Sequence, residues 1–196
     1  MAVLAAAAGL GVWWFFSPEY TDVGYRPEQP VAFSHQLHAG ELRLDCRYCH
    51  YTVERSPVAA VPATSVCMNC HTLVGRDLET LAPVRDSATS GTRLRWVRVH
   101  DLPDYARFDH SLHLDAGIGC SSCHGDVRAM AEVTQMEPLS MGWCLECHRD
   151  PAPHRRPASE LTDTAWRPPA DQEQVAARLA AEHPVAPPTA CSGCHQ

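Results

Sequence analysis

No basic block interrupts this sequence, and its 196 residues carry a formal charge of −7. A nucleic-acid partner is excluded on that ground, because nothing concentrates the positive charge needed to neutralise phosphates. Aromatic residues are scarce at 7%, and long apolar runs with a regular period are few. Proline, with 16 residues, interrupts most of the periodicity that begins. A chain so composed struggles to build a large side-chain core, so something other than side chains is expected to fill its middle.

Cysteine is what the chain has in plenty. All ten fall into five CxxC pairs: Cys46 and Cys49, Cys67 and Cys70, Cys120 and Cys123, Cys144 and Cys147, Cys191 and Cys194. A histidine follows each pair at once: His50, His71, His124, His148 and His195. CxxCH is the attachment signal for c-type haem. Two thiols three apart on one turn can each add to a haem vinyl group, and the next residue then points its imidazole at the iron. Disulfides, zinc ribbons and redox CxxC motifs are the competing readings. None of them requires a histidine after every second cysteine. With 12 histidines in 196 residues, five such coincidences would arise by chance on the order of once in a million. Five covalently bound c-type haems are therefore expected, and haem attachment of this kind implies an extracytoplasmic body.

The first sixteen residues, MAVLAAAAGLGVWWFF, contain no charged side chain. As a helix they would span roughly 24 Å, short of a hydrocarbon core of about 30 Å. Trp13, Trp14, Phe15 and Phe16 suit the aromatic belt at a bilayer interface. A cleavable signal peptide would need a basic start and a small-x-small cleavage site, and neither is present. The expectation is an N-terminal transmembrane helix, with residues 1–17 as an uncleaved anchor. A start codon placed too far downstream would explain both its shortness and its missing basic flank.

Beyond the anchor, residues 18–32 read as an extended, proline-containing linker. A repeat then begins. FSHQLH (33–38) precedes the motifs at 46–50 and 67–71, and FDHSLH (108–113) precedes those at 120–124 and 144–148. Residues 33–107 form a first dihaem module and its connector, 108–149 a second dihaem module, and 150–196 a proline-rich tail with the fifth motif. In the connector, one or two short helices should break near Pro83 and close at Ser90-Gly91. VRVHDLPD should be extended, because residues before proline avoid the helical region. The tail offers one amphipathic helix, with Asp171 as cap, Gln174 completing a capping box, and Val175, Ala176 and Leu179 as its apolar stripe. The fold class expected is a class III-like multihaem cytochrome c, mostly coil with short helices packed around five haems.

Five proximal histidines leave seven others as candidate distal ligands. His35 and His38, like His110 and His113, are three apart and share one face of a helical turn. His35 and His110 lie ten or eleven residues before the nearest CxxCH, a span suited to covering the far side of the same haem. His38 and His113 would reach across to other haems. For the remaining iron His100 is the first candidate, with Met141 as rival; methionine ligation would raise the potential. His154 and His183 sit in polar, proline-flanked surroundings and read as surface residues. Irons saturated in this way leave no position for a substrate, so no catalytic residue is assigned. Arginines near the motifs, such as Arg47, Arg98 and Arg107, are candidate partners for haem propionates.

The FxHxxH-then-CxxCH phrase resembles the small class III multihaem cytochromes. With the apolar N-terminus, WVRVHDLPDYARFDH (96–110) and MGWCLECHRD (141–150), nearly the whole chain resembles the pentahaem subunit of alternative complex III, a quinol:cytochrome c oxidoreductase. That resemblance implies an inner-membrane protein whose haem domain lies on the periplasmic side. Its partners would be an iron-sulfur/molybdopterin-type subunit, polytopic quinol-binding subunits, and a monohaem cytochrome c or terminal oxidase as acceptor. A stand-alone membrane-anchored quinol dehydrogenase and a reductase with one open haem are the alternatives.

Overall fold

The computed structural model describes residues 1–195. Ten short α-helices are strung along irregular chain: α1 Ala2–Phe15, α2 Pro18–Thr21, α3 Cys46–Cys49, α4 Thr64–His71, α5 Ala82–Ser90, α6 His110–Asp115, α7 Ser121–His124, α8 Met141–Arg149, α9 Gln172–Glu182 and α10 Cys191–Cys194. Among the described residues extended pairing is limited to two isolated bridges, Ala106 with His195 and Ile118 with Arg155. Among the described residues buried apolar side chains are few (Val31, Ala39, Val84, Ile118, Leu161, Val175 and Ala176), and no large side chain is fully buried. A chain of this length normally hides far more. The sparse interior matches the expectation that a non-peptide group completes the core.

Three of the helices that carry a motif or candidate ligand histidine are capped by a side chain. Asp45 caps α3 by accepting from Arg47 N at 2.9 Å, Asp109 caps α6 from Ser111 N at 2.8 Å, and Ser140 caps α8 from Trp143 N at 3.3 Å. As expected, the connector forms two short helical pieces, a 3-10 turn Glu79–Leu81 and α5, which meet just before Pro83. Pro83 sits in the first turn of α5, where its missing N–H costs nothing, and Gly91 closes the helix in the left-handed conformation (φ 71°). The tail helix α9 forms as expected and buries Val175 and Ala176, although the Asp171 side chain makes no capping bond.

The two FxHxxH phrases fold differently, and the sequence explains why. His38 precedes Cys46 by eight residues, whereas His113 precedes Cys120 by seven. The second phrase is ordinary α6, but Gln36–Glu41 is a π-helical turn in which Leu42 N donates to Leu37 O at 2.9 Å. A π-turn takes up one extra residue without shifting what flanks it. Gly40 of that turn lies against the backbone of Arg128, where a Cβ would collide with the Arg128 carbonyl.

Two expectations need correction. The N-terminal helix stops at Phe15 after 14 residues, about 21 Å, and among the described residues no helix is long and apolar enough to cross a membrane. Phe16 N and Ser17 N fold back onto Val12 O and Trp14 O, and Ser17 Oγ donates to Trp14 O, which ends the helix before Pro18. The segment 18–32 is also not wholly extended. It opens with α2 and is then tied to the body by Gly24 N to Gln135 O (2.8 Å) and Gln135 N to Tyr25 O (3.0 Å).

Directly after His124, Gly125 adopts φ 67° and ψ −163°, a region open essentially to glycine alone. A side chain there would also run into Met136. Gly125→Ala is expected to cost about 1–3 kcal/mol, read as a lower thermal midpoint with α7 and the His124 position disturbed; an unchanged midpoint would refute the assignment.

Candidate haem-binding site

The candidate ligand histidines meet in pairs across gaps of one size. Ring centroids are 6.5 Å apart for His35 and His50, 6.1 Å for His38 and His71, 6.3 Å for His110 and His124, and 6.0 Å for His113 and His148. Metal–imidazole bonds are about 2 Å, so an iron bonded to both rings needs centroids roughly 6 Å apart. His35 with His50 and His110 with His124 are also nearly parallel, at 4° and 5°. The first histidine of each phrase thus faces its own module's first motif, and the second faces the second.

Ring orientation is set by the backbone. Nδ1 of His38, His50, His71, His110, His113 and His148 each lies 2.7–2.8 Å from a carbonyl oxygen, respectively of Ser34, Ala60, Val74, Pro57, Asp109 and Pro188. A carbonyl only accepts, so Nδ1 carries the proton and Nε2 keeps its lone pair for a metal. Phe33 and Phe108 complete the arrangement. Each ring stacks on the second histidine of its phrase at 4.4–4.5 Å and meets the first edge-on at 4.6–4.9 Å. Their role escaped the sequence reading, although both phrases begin with phenylalanine.

Burial favours the neutral form of three of these rings, His35, His113 and His124. It lowers His35 to about 4, helped by the neighbouring His50 and His38, and His124 to about 3, helped by His100, His110, His50 and His35. His113 is lowered for the same first reason. Neutral imidazole is the form that ligates.

The five motifs lie in a row whose order differs from the sequence. Asn69 of the second donates to the Tyr48 hydroxyl of the first at 3.0 Å. Beside the first motif, Asp45 accepts from Thr162 at 3.2 Å, while the adjacent Leu161 carbonyl accepts from Cys120 N of the third at 2.9 Å. The Cys46 thiol there meets that of Cys120, and the shared hydrogen bond holds Cys46 down at about 7 while pushing Cys120 up. Helix α6 links the third and fourth motifs through His110 and His113. His148 Nδ1 of the fourth reaches Pro188 O at 2.7 Å, and Pro188 packs on Gly193 of the fifth. The order is second, first, third, fourth, fifth.

No two of the ten cysteines are joined in a disulfide. Among the described residues no three His, Cys, Asp or Glu side chains converge on one point, as tetrahedral zinc would need. The gaps between histidine pairs, with cysteines one turn away, fit haem instead. Both halves of the chain match family models of that chemistry. Residues 17–89 match the class III cytochrome c family, and residues 106–196 match cytochrome c7 and related cytochrome c. The chain carries class III-like multihaem cytochrome c domains. These families imply covalent c-type haem. The chain is also 35% identical, over 114 residues, to the menaquinone reductase multihaem cytochrome c subunit of Nitratidesulfovibrio vulgaris (strain Hildenborough). That match covers 57% of this cytochrome and 51% of the relative, so it spans about half of the relative's length.

Three further findings bear on the site. Neither His100 nor Met141 reaches His195: the His100 ring lies edge-on to His124 at 4.4 Å, and Met141 is 65% exposed at the start of α8. Arg47 is held by Asp45 (2.8 Å) and Glu54 (3.1 Å), and Arg98 by Asp101 (2.6 Å), so both already have carboxylate partners. Arg128, Arg155 and Arg156, which the sequence did not single out, each keep a buried guanidinium nitrogen without a hydrogen-bond partner. Arg156 stacks over Trp166 at 4.3 Å and donates to Ser121 and Ser122, beside Cys120 and Cys123. Buried cationic donors left open in this way suit haem propionates.

Proposed function

We propose that this chain is a five-haem electron-relay subunit of a quinone-linked membrane complex of the alternative complex III kind. When bound, c-type haem supplies reversible one-electron exchange at its iron. The chain's own part is to hold five attachment sites in one row, with His50, His71 and His148 oriented by backbone carbonyls and facing histidines closing four of the sites to substrate. That row is the observation that carries the reading. A saturated site exchanges electrons without binding a reactant, and a continuous file of such sites is suited to transport.

The finer assignments follow the same reading. The ligands are His50, His71, His124, His148 and His195 on the proximal side, with His35, His38, His110 and His113 facing the first four. The body lies on the periplasmic side of the inner membrane, attached through α1, whose residues are uncharged and exposed and end in Trp13–Phe16. Its partners are polytopic quinol-binding subunits, an iron-sulfur/molybdopterin-type subunit, and a monohaem cytochrome c or terminal oxidase as acceptor. The name of the Nitratidesulfovibrio relative favours a second direction of flow, in which the row delivers electrons towards menaquinone.

Mild-detergent purification of the tagged full chain, with haem quantitation, tests the proposal. Polytopic subunits should co-purify, and the polypeptide should carry five haems per chain. Reduction of the haems by a quinol analogue supports quinol oxidation, whereas their oxidation by a quinone analogue supports the reverse. A chain that purifies alone and oxidises quinol unaided would overturn the relay assignment.

A further inference from the structure

One stretch of the connector has backbone with nothing to pair it. Residues 91–98 run without helix, turn or bend. Gln29 shows what this stretch can bind. Its side-chain Nε2 donates to the Val97 carbonyl and its Oε1 accepts from the Val97 N–H, both at 2.9 Å. A neighbouring strand would make the same two bonds, so the backbone here is presented for pairing. Among the described residues Arg93, Leu94, Arg95 and Trp96 form no backbone hydrogen bond within the chain. In an extended chain successive N–H groups point to opposite sides, so those of Leu94 and Trp96 point away from the edge that Gln29 occupies.

The surroundings say what would pair there. Arg93, Arg95 and Val97 are exposed, whereas Leu94 and Trp96 are half-buried. Leu94 and Trp96 line a groove of about 670 Å3 together with Val61 and with Thr64 and Met68 of α4. Cys67, Cys70 and His71 are not among its walls, so the groove is distinct from the attachment face of the second motif. Thr64 Oγ1 and Ser87 Oγ lie 2.7 Å apart and join α4 to α5 beside it. Among the described residues neither Arg93 nor Arg95 forms an ion pair, unlike Arg47 and Arg98. An open edge invites any strand, a second copy included. Two arginines two residues apart repel such a copy, because like charges opposed across strands destabilise the pair, and they attract acidic side chains instead.

We propose that residues 93–97 are the edge onto which a partner subunit adds an extended, acidic segment as a β-strand. Backbone bonds to Leu94 and Trp96 hold the segment, and aspartate or glutamate at alternate positions meets Arg93 and Arg95. An apolar side chain between them enters the groove beside Trp96. The inference rests on membership of a multi-subunit complex, and it places one subunit contact against α4, at the end of the row where the second motif stands.

Hydrogen exchange on the purified complex tests this. The amides of Leu94 and Trp96 should exchange about tenfold more slowly in the complex than in the isolated full chain, because an added strand must open before they exchange. A photo-crosslinking residue in place of Arg95 should join to a segment of another subunit rich in aspartate or glutamate. Arg93→Glu with Arg95→Glu should keep the native haem count but release that subunit at lower salt, whereas Arg93→Lys with Arg95→Lys should hold it as the native chain does. Amides that exchange equally fast in complex and isolated chain would overturn the strand addition and leave membership intact. A crosslink to a second copy of this chain, or a complex indifferent to the charge reversal, would overturn the acidic partner. A chain that purifies with no other subunit would overturn both this inference and the membership it rests on.

Discussion

Alanine at both Cys46 and Cys49 is expected to lower the haem count from five to four and to stop transfer along the row. The first motif lies between the second and the third, touching one through Tyr48 and Asn69 and the other through Asp45 and Thr162. Losing it removes an interior member and leaves the second motif stranded. It also empties space that few apolar side chains can refill, since buried apolar residues are few, and unfilled volume is destabilising. Pyridine haemochrome assay and mass spectrometry give the haem count, and stopped-flow reduction gives the transfer rate. The matched control is Cys191→Ala with Cys194→Ala, which removes the terminal site. Both doubles should lose one haem. Only the interior pair should lower transfer from the second site to the fourth tenfold or more, a barrier increase of about 1.4 kcal/mol. Equal effects from the two would refute the order of the row.

Replacing His110 with methionine should raise the potential of one haem and leave the others near their original values. His110 faces His124 in a nearly parallel pair and is held by its own N–H and by Nδ1 to the Pro57 carbonyl, 53 residues earlier. Thioether sulfur donates less electron density to ferric iron than imidazole does, so the reduced state gains. The expected rise is on the order of 100 mV, a fraction of the roughly 0.8 V that axial ligands span. A spectroelectrochemical titration should show one component moving out of the low-potential group. His154→Met, at an exposed site, should move nothing. If His110→Met also moves nothing, His110 is not a ligand.

Several features were legible because they depend on covalent spacing alone. CxxCH needs two thiols and an imidazole on one turn, and that requirement is written in five consecutive residues wherever the chain runs. The facing of His35 to His50 and of His110 to His124 followed from a short tether of ten or eleven residues. The one-residue difference between the two phrases was visible too, but its absorption in a π-turn was not, because that depends on the Arg128 backbone packed against Gly40. His100 misled for a related reason. Its extended segment reaches far enough for several irons, and only the fold decides that it stops beside His124. Arg155 and Arg156 carry no motif in the sequence, and only their burial marks them out.

The sequence by itself determined the chemistry of this protein: ten thiols and their histidines in five local units, with two duplicated phrases to face four of them. Those units are held by bonds and turns a few residues long, so no distant contact is needed to specify them. Tertiary structure alone decided the row, in which the second site precedes the first and the His195 ring lies beside that of Tyr105. Such neighbours are joined by contacts spanning 21 to 117 residues, and a pattern within one segment holds no record of what another will place beside it.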